Sequence, residues 1–111
     1  MRTATGLRAW VLQRVTAVYL ALFLVYVVAH FALAPPRDYA AWRDWVGDPF
    51  VSVATLLFFA TLLLHAWVGL RDIVIDYVHP VAIRVTVLAM LAIGLAACAL
   101  WAAQVLFLAR W

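Results

Sequence analysis

Charge is scarce in this chain and comes from two residue types only: eight arginines and five aspartates, with no lysine and no glutamate. With 12% charged and 70% hydrophobic residues, it cannot be an ordinary water-soluble domain, which carries about 25% and about 45–50% respectively. The net charge of +3 would suit a polyanion. However, no polar segment is long enough to build a basic face, so nucleic acid is not an expected partner. Cys98 is the lone cysteine, which excludes an intrachain disulfide and a cysteine-ligated cluster. It reads as a small packing residue inside an apolar run. Glycine and proline number four each. There is no glycine-rich phosphate loop, no nucleophile triad, no repeat and no linker.

What the chain does have is long uncharged runs. Residues 15–36, 49–70 and 85–109 carry no formal charge and are 22, 22 and 25 residues long. As helices they would extend about 33–38 Å, enough for a hydrocarbon core of about 30 Å. The expected fold is therefore an all-α membrane protein: one transmembrane domain over residues 1–111, with helices at about 14–34, 49–75 and 81–109. Arg2, Arg8, Arg14, Arg71 and Arg84 fall on one side of the membrane and Arg37, Arg43 and Arg110 on the other. The positive-inside rule then places the N-terminus in the cytoplasm and the C-terminus in the periplasm. Ala32-Leu33-Ala34 has the form of a signal-peptide cleavage site. The apolar run before it is longer than a signal core and Pro35 would follow the cut, so an uncleaved helix is expected.

Punctuation refines this outline. Residues 1–13 read as a short basic arm, with Trp10 at the level of an interfacial anchor. Pro35-Pro36 stops the first helix. The outer loop, 35–48, reads as an amphipathic turn or two lying on the surface, with Tyr39, Trp42, Trp45 and Val46 inward and Arg37, Asp38, Arg43 and Asp44 toward water. Asp48-Pro49 is a cap followed by a first-turn proline, a start signal for the second helix. His79-Pro80 closes a short cytoplasmic loop at 76–80 and opens the third helix. That helix is rich in alanine on several faces, which suits packing against more than one neighbour. So small a chain encloses little by itself and reads as a subunit.

Three groups of residues carry candidate chemistry. His65 is an imidazole at membrane depth, and such groups are usually retained because they bind or move something. Gly69, one turn later on the same face, would give clearance to a flat macrocycle such as haem. The other reading of His65 is an imidazole hydrogen-bonded to a neighbouring helix or lying near the headgroups. His30 lies roughly 24 Å from the cytoplasmic end of its span and His65 roughly 9 Å. That mismatch forbids a shared metal, whose two nitrogens would be about 4 Å apart given bonds of about 2 Å. His30 reads as a packing residue. Asp76-Tyr77 falls about 18 Å beyond His65, at the cytoplasmic surface. There a phenol can donate to a carbonyl of an amphiphile such as a quinone and the acid can orient it or pass protons. Alternatively, the pair is an interfacial anchor beside a helix-end acid. Arg14, Arg71 and Arg84 form a possible positive rim for haem propionates or an anionic headgroup, or else snorkel to membrane lipid. A proton-conducting or transport subunit using His30 and His65 is a rival reading, weakened by the absence of polar stations between them.

The segments Arg14-Val-Thr-Ala-Val, His65-Ala-Trp-Val-Gly-Leu and Asp76-Tyr77-Val-His-Pro80-Val-Ala-Ile-Arg84 resemble the small hydrophobic membrane anchor, the D subunit, of bacterial succinate dehydrogenase (complex II). The resemblance covers about residues 8–90. It implies that His65 is an axial ligand of haem b, with the other ligand supplied by the partner anchor, the C subunit, itself three-helical. It implies that Tyr77 hydrogen-bonds ubiquinone with Asp76 beside it, and that Arg14 lies near the propionates and the quinone pocket. It also implies that the iron–sulfur and flavoprotein subunits dock on the cytoplasmic face and carry electrons from succinate. On that view the chain is no enzyme alone but part of an electron-transport assembly of the tricarboxylic acid cycle. Where some relatives have a histidine before the first helix, this chain has Arg8-Ala-Trp10, so Arg8 is a candidate propionate partner. Arg71 stands in place of an aromatic residue and adds charge near the pocket.

Overall fold

The computed structural model describes residues 2–110 of the chain, with side chains from 6 to 109. It contains four helices: α1 (Arg2–Leu33), α2 (Tyr39–Gly47), α3 (Pro49–Tyr77) and α4 (Val81–Arg110). Three of them hold stretches long and apolar enough to cross a membrane: Gly6–Leu33, Pro49–Tyr77 and Val81–Ala109. At 28 or 29 residues each these run about 42–44 Å, longer than the hydrocarbon core, so they tilt or protrude. Two boundaries differ from expectation. Asp76 and Tyr77, expected in the loop 76–80, are the last residues of α3, because the break comes only at Pro80, which keeps the residue just before it extended. Residues 2–13 are not an arm but the first turns of α1. Nothing between Arg2 and Gln13 interrupts a helix except Gly6, a weak breaker without proline's missing donor.

The ends of the elements follow local chemistry. Pro35-Pro36 ends α1 at Leu33. Asp38 caps α2, its Oδ1 accepting from the Ala41 amide at 2.8 Å. Asp48 closes α2 and opens α3: its amide donates to the Trp45 carbonyl, and its Oδ2 accepts from the amides of Phe50 (3.1 Å) and Val51 (3.3 Å). Pro49 then occupies the first helical position, where a missing N–H costs nothing. At the other end, α3 stops at Tyr77, and the Pro80 carbonyl accepts the first bond of α4 from the Arg84 amide at 2.9 Å. The Arg84 guanidinium also reaches back, its Nε donating to the Val78 carbonyl at 2.9 Å, which pins the connection against α4.

The spans form a layer with α3 in the middle, packed on α1 at one side and α4 at the other, and α1 and α4 make no close backbone approach among the described residues. Short α2 lies across the outer end, against α3 and α4. Val46 is 4% exposed and packs with Leu106 and Ala109 of α4, flanked by Trp42, Trp45 and Phe59. Arg43, expected to face water, instead is half-buried and donates from Nε to the Ala109 carbonyl at 3.2 Å. A cation there offsets the negative end of the α4 dipole and satisfies an orphan carbonyl.

Little else is interior. The buried apolar residues are Leu20, Val46, Val68, Val74, Leu106 and Ala109, a set far too small to hold a soluble domain together. In lipid this is sufficient, because hydrocarbon is as apolar as leucine and helix association depends on fit and interhelical hydrogen bonds. Replacing Asp48 with alanine removes both cap bonds at the α2–α3 corner. The expected cost is about 1 kcal/mol, read as a lower melting temperature of the purified assembly, whereas Asp48→Asn retains most of the stability. Equal melting of Asp48→Ala and the parent would show that the corner is held by packing alone.

Candidate functional site

The α1–α3 contact holds the chain's polar interior. α3 presents His65 toward α1, and the His65 Nδ1 lies 2.9 Å from the Thr16 hydroxyl oxygen. Thr16 is 5% exposed, the one buried polar residue among those described. Its hydroxyl donates to the Leu12 carbonyl at 2.6 Å and approaches that of Gln13 at 3.2 Å. The other ring nitrogen, Nε2, has no hydrogen-bond partner among the described residues and is not fully buried. The two sequence readings of His65 are thus compatible: one nitrogen is bonded to a neighbouring helix, and the other is open for coordination.

Gly69 lies one turn along α3. A Cβ built there would meet the Gln13 amide nitrogen at 3.4 Å. The Gln13 side chain of α1 thus lies at ordinary contact distance from this position, where the sequence suggested open space for a macrocycle. Further along, the Tyr19 hydroxyl donates to the Ala54 carbonyl at 2.7 Å. Gln13, Thr16 and Tyr19 recur every three residues and form the polar seam of α1. Sequence reasoning treated Thr16 only as part of a motif and passed over Gln13 and Tyr19. Part of the signal was available: Gln13 and Thr16 share one helical face at the start of an apolar span, although residue counting puts Thr16 about 3 Å from the end of its span and His65 about 9 Å.

His30 lies elsewhere. It is 14 residues beyond Thr16 on α1, about 21 Å along the axis, and stacks on Trp45 with centroids 4.7 Å apart and planes at 11°. Tyr26 and Phe31 complete that aromatic group. The structure keeps the two histidines well apart, and His30 packs the outer end against α2.

Asp76 and Tyr77 form the last turn of α3, both exposed, Tyr77 at 79%. α3 runs without a break from His65 to Tyr77, so the spacing of about 18 Å holds. The arginines are dispersed. Arg8 and Arg14 are exposed on α1, with the Arg14 guanidinium 5.2 Å from the centre of the Trp10 ring. Arg71 pairs with Asp72 at 3.4 Å, and its Nε is buried without a partner. No hydrogen bond or ion pair joins Arg8, Arg14, Asp76 and Tyr77 to one another among the described residues. These residues do not assemble a closed site within the chain; they line its surface. Nor does any cluster of three or more His, Cys or Asp side chains capable of holding a metal ion occur among the described residues.

Comparison with known proteins identifies the family. Residues 1–103 match the family described as succinate dehydrogenase/fumarate reductase transmembrane subunit. The chain is 30% identical over 105 residues to the succinate dehydrogenase hydrophobic membrane anchor subunit of Coxiella burnetii, covering 95% of this chain and 91% of that protein. The subunit of the same name from Rickettsia felis is 34% identical over 85 residues, 76% of this chain and 70% of its own length. That of Rickettsia conorii is 32% identical over 85 residues, with 76% and 68% covered. With three apolar spans and near-complete coverage, the chain belongs to the succinate dehydrogenase/fumarate reductase transmembrane subunit family, as a multi-pass inner-membrane anchor of succinate dehydrogenase that is not itself catalytic.

Proposed function

We propose that this anchor subunit holds one axial position of a haem b through His65 Nε2 and forms part of a ubiquinone-reduction site with Tyr77 and Asp76. As a succinate dehydrogenase anchor the chain associates with the other subunits of the complex. The observation that carries the haem reading is the state of the imidazole: Nδ1 bonded to Thr16 and Nε2 open, on a membrane-spanning helix. A neutral imidazole ligates through the nitrogen whose partner is held by a hydrogen bond, so the donor fits. A haem held by His65 would take any further protein ligand from the partner anchor, as the family resemblance implies. When bound, the haem supplies a one-electron carrier within the membrane.

The chain's own contribution to quinone chemistry lies at the end of α3. The Tyr77 hydroxyl is positioned to donate to a quinone carbonyl oxygen while the isoprenoid tail lies along the apolar flanks of the spans. Reduction of a quinone takes up two protons, and the Asp76 carboxylate, open to water, can pass them toward that oxygen. Arg84 keeps the loop beyond Tyr77 fixed through the Val78 carbonyl. The remaining pocket walls come from the iron–sulfur subunit and the partner anchor, and the flavoprotein subunit sits beyond them. Arg8, Arg14 and Arg71 lie on the same side as Tyr77 and supply positive charge for propionates or for a reduced headgroup. With five arginines on that side against three opposite, it is the cytoplasmic one, and the C-terminus is periplasmic.

His65→Tyr is expected to weaken haem binding and to alter the b-type Soret and α bands of the purified complex, with haem content measured as the pyridine haemochrome. Undiminished haem with the parent spectrum would remove His65 as a ligand. Tyr77→Phe is expected to slow succinate-dependent quinone reduction by about tenfold or more while reduction of a dye acceptor by succinate is unchanged. A parallel loss of both activities would assign Tyr77 to assembly instead. A periplasm-active phosphatase fused after the last residue should be active and a cytoplasm-active reporter silent. The reverse pattern would invert the topology.

A further inference from the structure

We propose that Thr16 is the positioning residue for His65: it holds the proton on Nδ1, presents the Nε2 lone pair to iron and fixes the plane of the ring. The inference rests on the haem reading above and goes beyond it, since it concerns what prepares the ligand rather than which residue ligates. The argument starts from proton counting. A threonine hydroxyl has one hydrogen and two lone pairs. Three groups surround Thr16 Oγ1: the Leu12 carbonyl at 2.6 Å, the Gln13 carbonyl at 3.2 Å and His65 Nδ1 at 2.9 Å. Both carbonyls can only accept. The shortest contact takes the hydroxyl proton, so toward His65 the oxygen is an acceptor and Nδ1 must carry hydrogen. In a neutral imidazole that leaves the lone pair on Nε2. The opposite assignment would put hydrogen on Nε2, where it blocks coordination, and would turn the hydroxyl away from its closest acceptor.

Burial strengthens the assignment. Thr16 is 5% exposed, and at membrane depth no water competes for its oxygen. The register is held by a second interhelical hydrogen bond, from the Tyr19 hydroxyl to the Ala54 carbonyl at 2.7 Å. The hydroxyl therefore cannot drift from the imidazole without the two helices sliding. A hydrogen bond at the distal ring nitrogen raises ligand basicity and sets orientation, and its loss typically weakens metal binding by about 10–100-fold.

The test uses the intact complex carrying Thr16→Val, which keeps the shape and removes the hydroxyl, beside Thr16→Ser, which keeps the hydroxyl. In Thr16→Val the haem is expected to transfer to an apo-acceptor protein about tenfold faster or more, its low-spin EPR g-maximum to shift and its midpoint potential to rise. Thr16→Ser should match the parent in all three. Parent behaviour in Thr16→Val would overturn the proposal. If Thr16→Val does not assemble, the parent complex decides: pulsed EPR of the oxidised haem must show a distal imidazole nitrogen with the quadrupole coupling of a hydrogen-bonded N–H, and its absence refutes the assignment. His65→Tyr separates the two levels. If it leaves haem untouched, the ligand reading fails; if it weakens haem binding while Thr16→Val is silent, only the positioning role fails.

Discussion

The register between α1 and α3 depends on the need to satisfy an imidazole and a hydroxyl where no water reaches. Apolar packing cannot set that register here. The buried apolar residues are few and scattered, and in lipid one leucine-to-leucine contact is nearly as good as another. A polar contact is different. Sliding α1 by one turn would move Thr16 about 5.4 Å from His65, leave a donor and an acceptor unpaired in hydrocarbon and push Gln13 off Gly69. Each such loss costs more than any rearranged apolar contact returns. The hydrogen bonds of Thr16 and Tyr19 thus specify alignment, while the apolar surface specifies only that the helices lie in the membrane.

The same contrast explains what could be read from residue order. Spans, caps and breaks were legible because they depend on local chemistry: uncharged length for the three long helices, Asp48-Pro49 for the corner, Pro35-Pro36 and His79-Pro80 for the stops. The helical 2–13 segment was misread as an arm because charge marks the membrane boundary, and a helix does not have to end there. Arg43 was misassigned for a related reason. Helical periodicity places it on the wet face of α2, but the open carbonyls at the end of α4 lie within its reach, and that is a tertiary fact. His65 was legible as unusual, and His30 as too distant to share its metal. The choice of Gln13 for the space opposite Gly69 was not legible, since it depends on how α1 faces α3.

The chain also looks like half of something larger. With α3 between α1 and α4, the two outer helices leave a groove of ≈ 790 Å³ between them, walled by Phe23, Phe58, Phe59, Leu95 and Trp101 among others. Most of α4 is exposed, including Met90, Ile93, Leu100 and Trp101. A transporter or proton conductor acting alone would need a polar path through the layer. Instead, the interval from Thr16 to His30 is filled by Tyr19, Phe23, Phe58 and Tyr26 rings. Of these four rings only Tyr19 and Tyr26 carry a hydroxyl, and that of Tyr19 is committed to the Ala54 carbonyl. Beyond the seam, the hydroxyls of Thr55, Thr61 and Thr86 turn back onto their own helices, and the charged side chains sit at the two ends of the spans.

That arrangement gives α3 a specific mechanical role. His65 and Tyr77 lie on a single uninterrupted helix, so their axial offset of about 18 Å is set by twelve peptide units. Their angular relation is set too: twelve residues at about 100° each come to three turns and a third, so the two side chains leave the helix about 120° apart. A group held by His65 and a headgroup held by Tyr77 would therefore lie at different depths and on different faces, against different neighbours. Anchoring α1 to α3 through Thr16 fixes that rotation, because it pins His65 toward α1 and thereby turns Tyr77 away from it, to the exposed side where the rest of the complex can close around it.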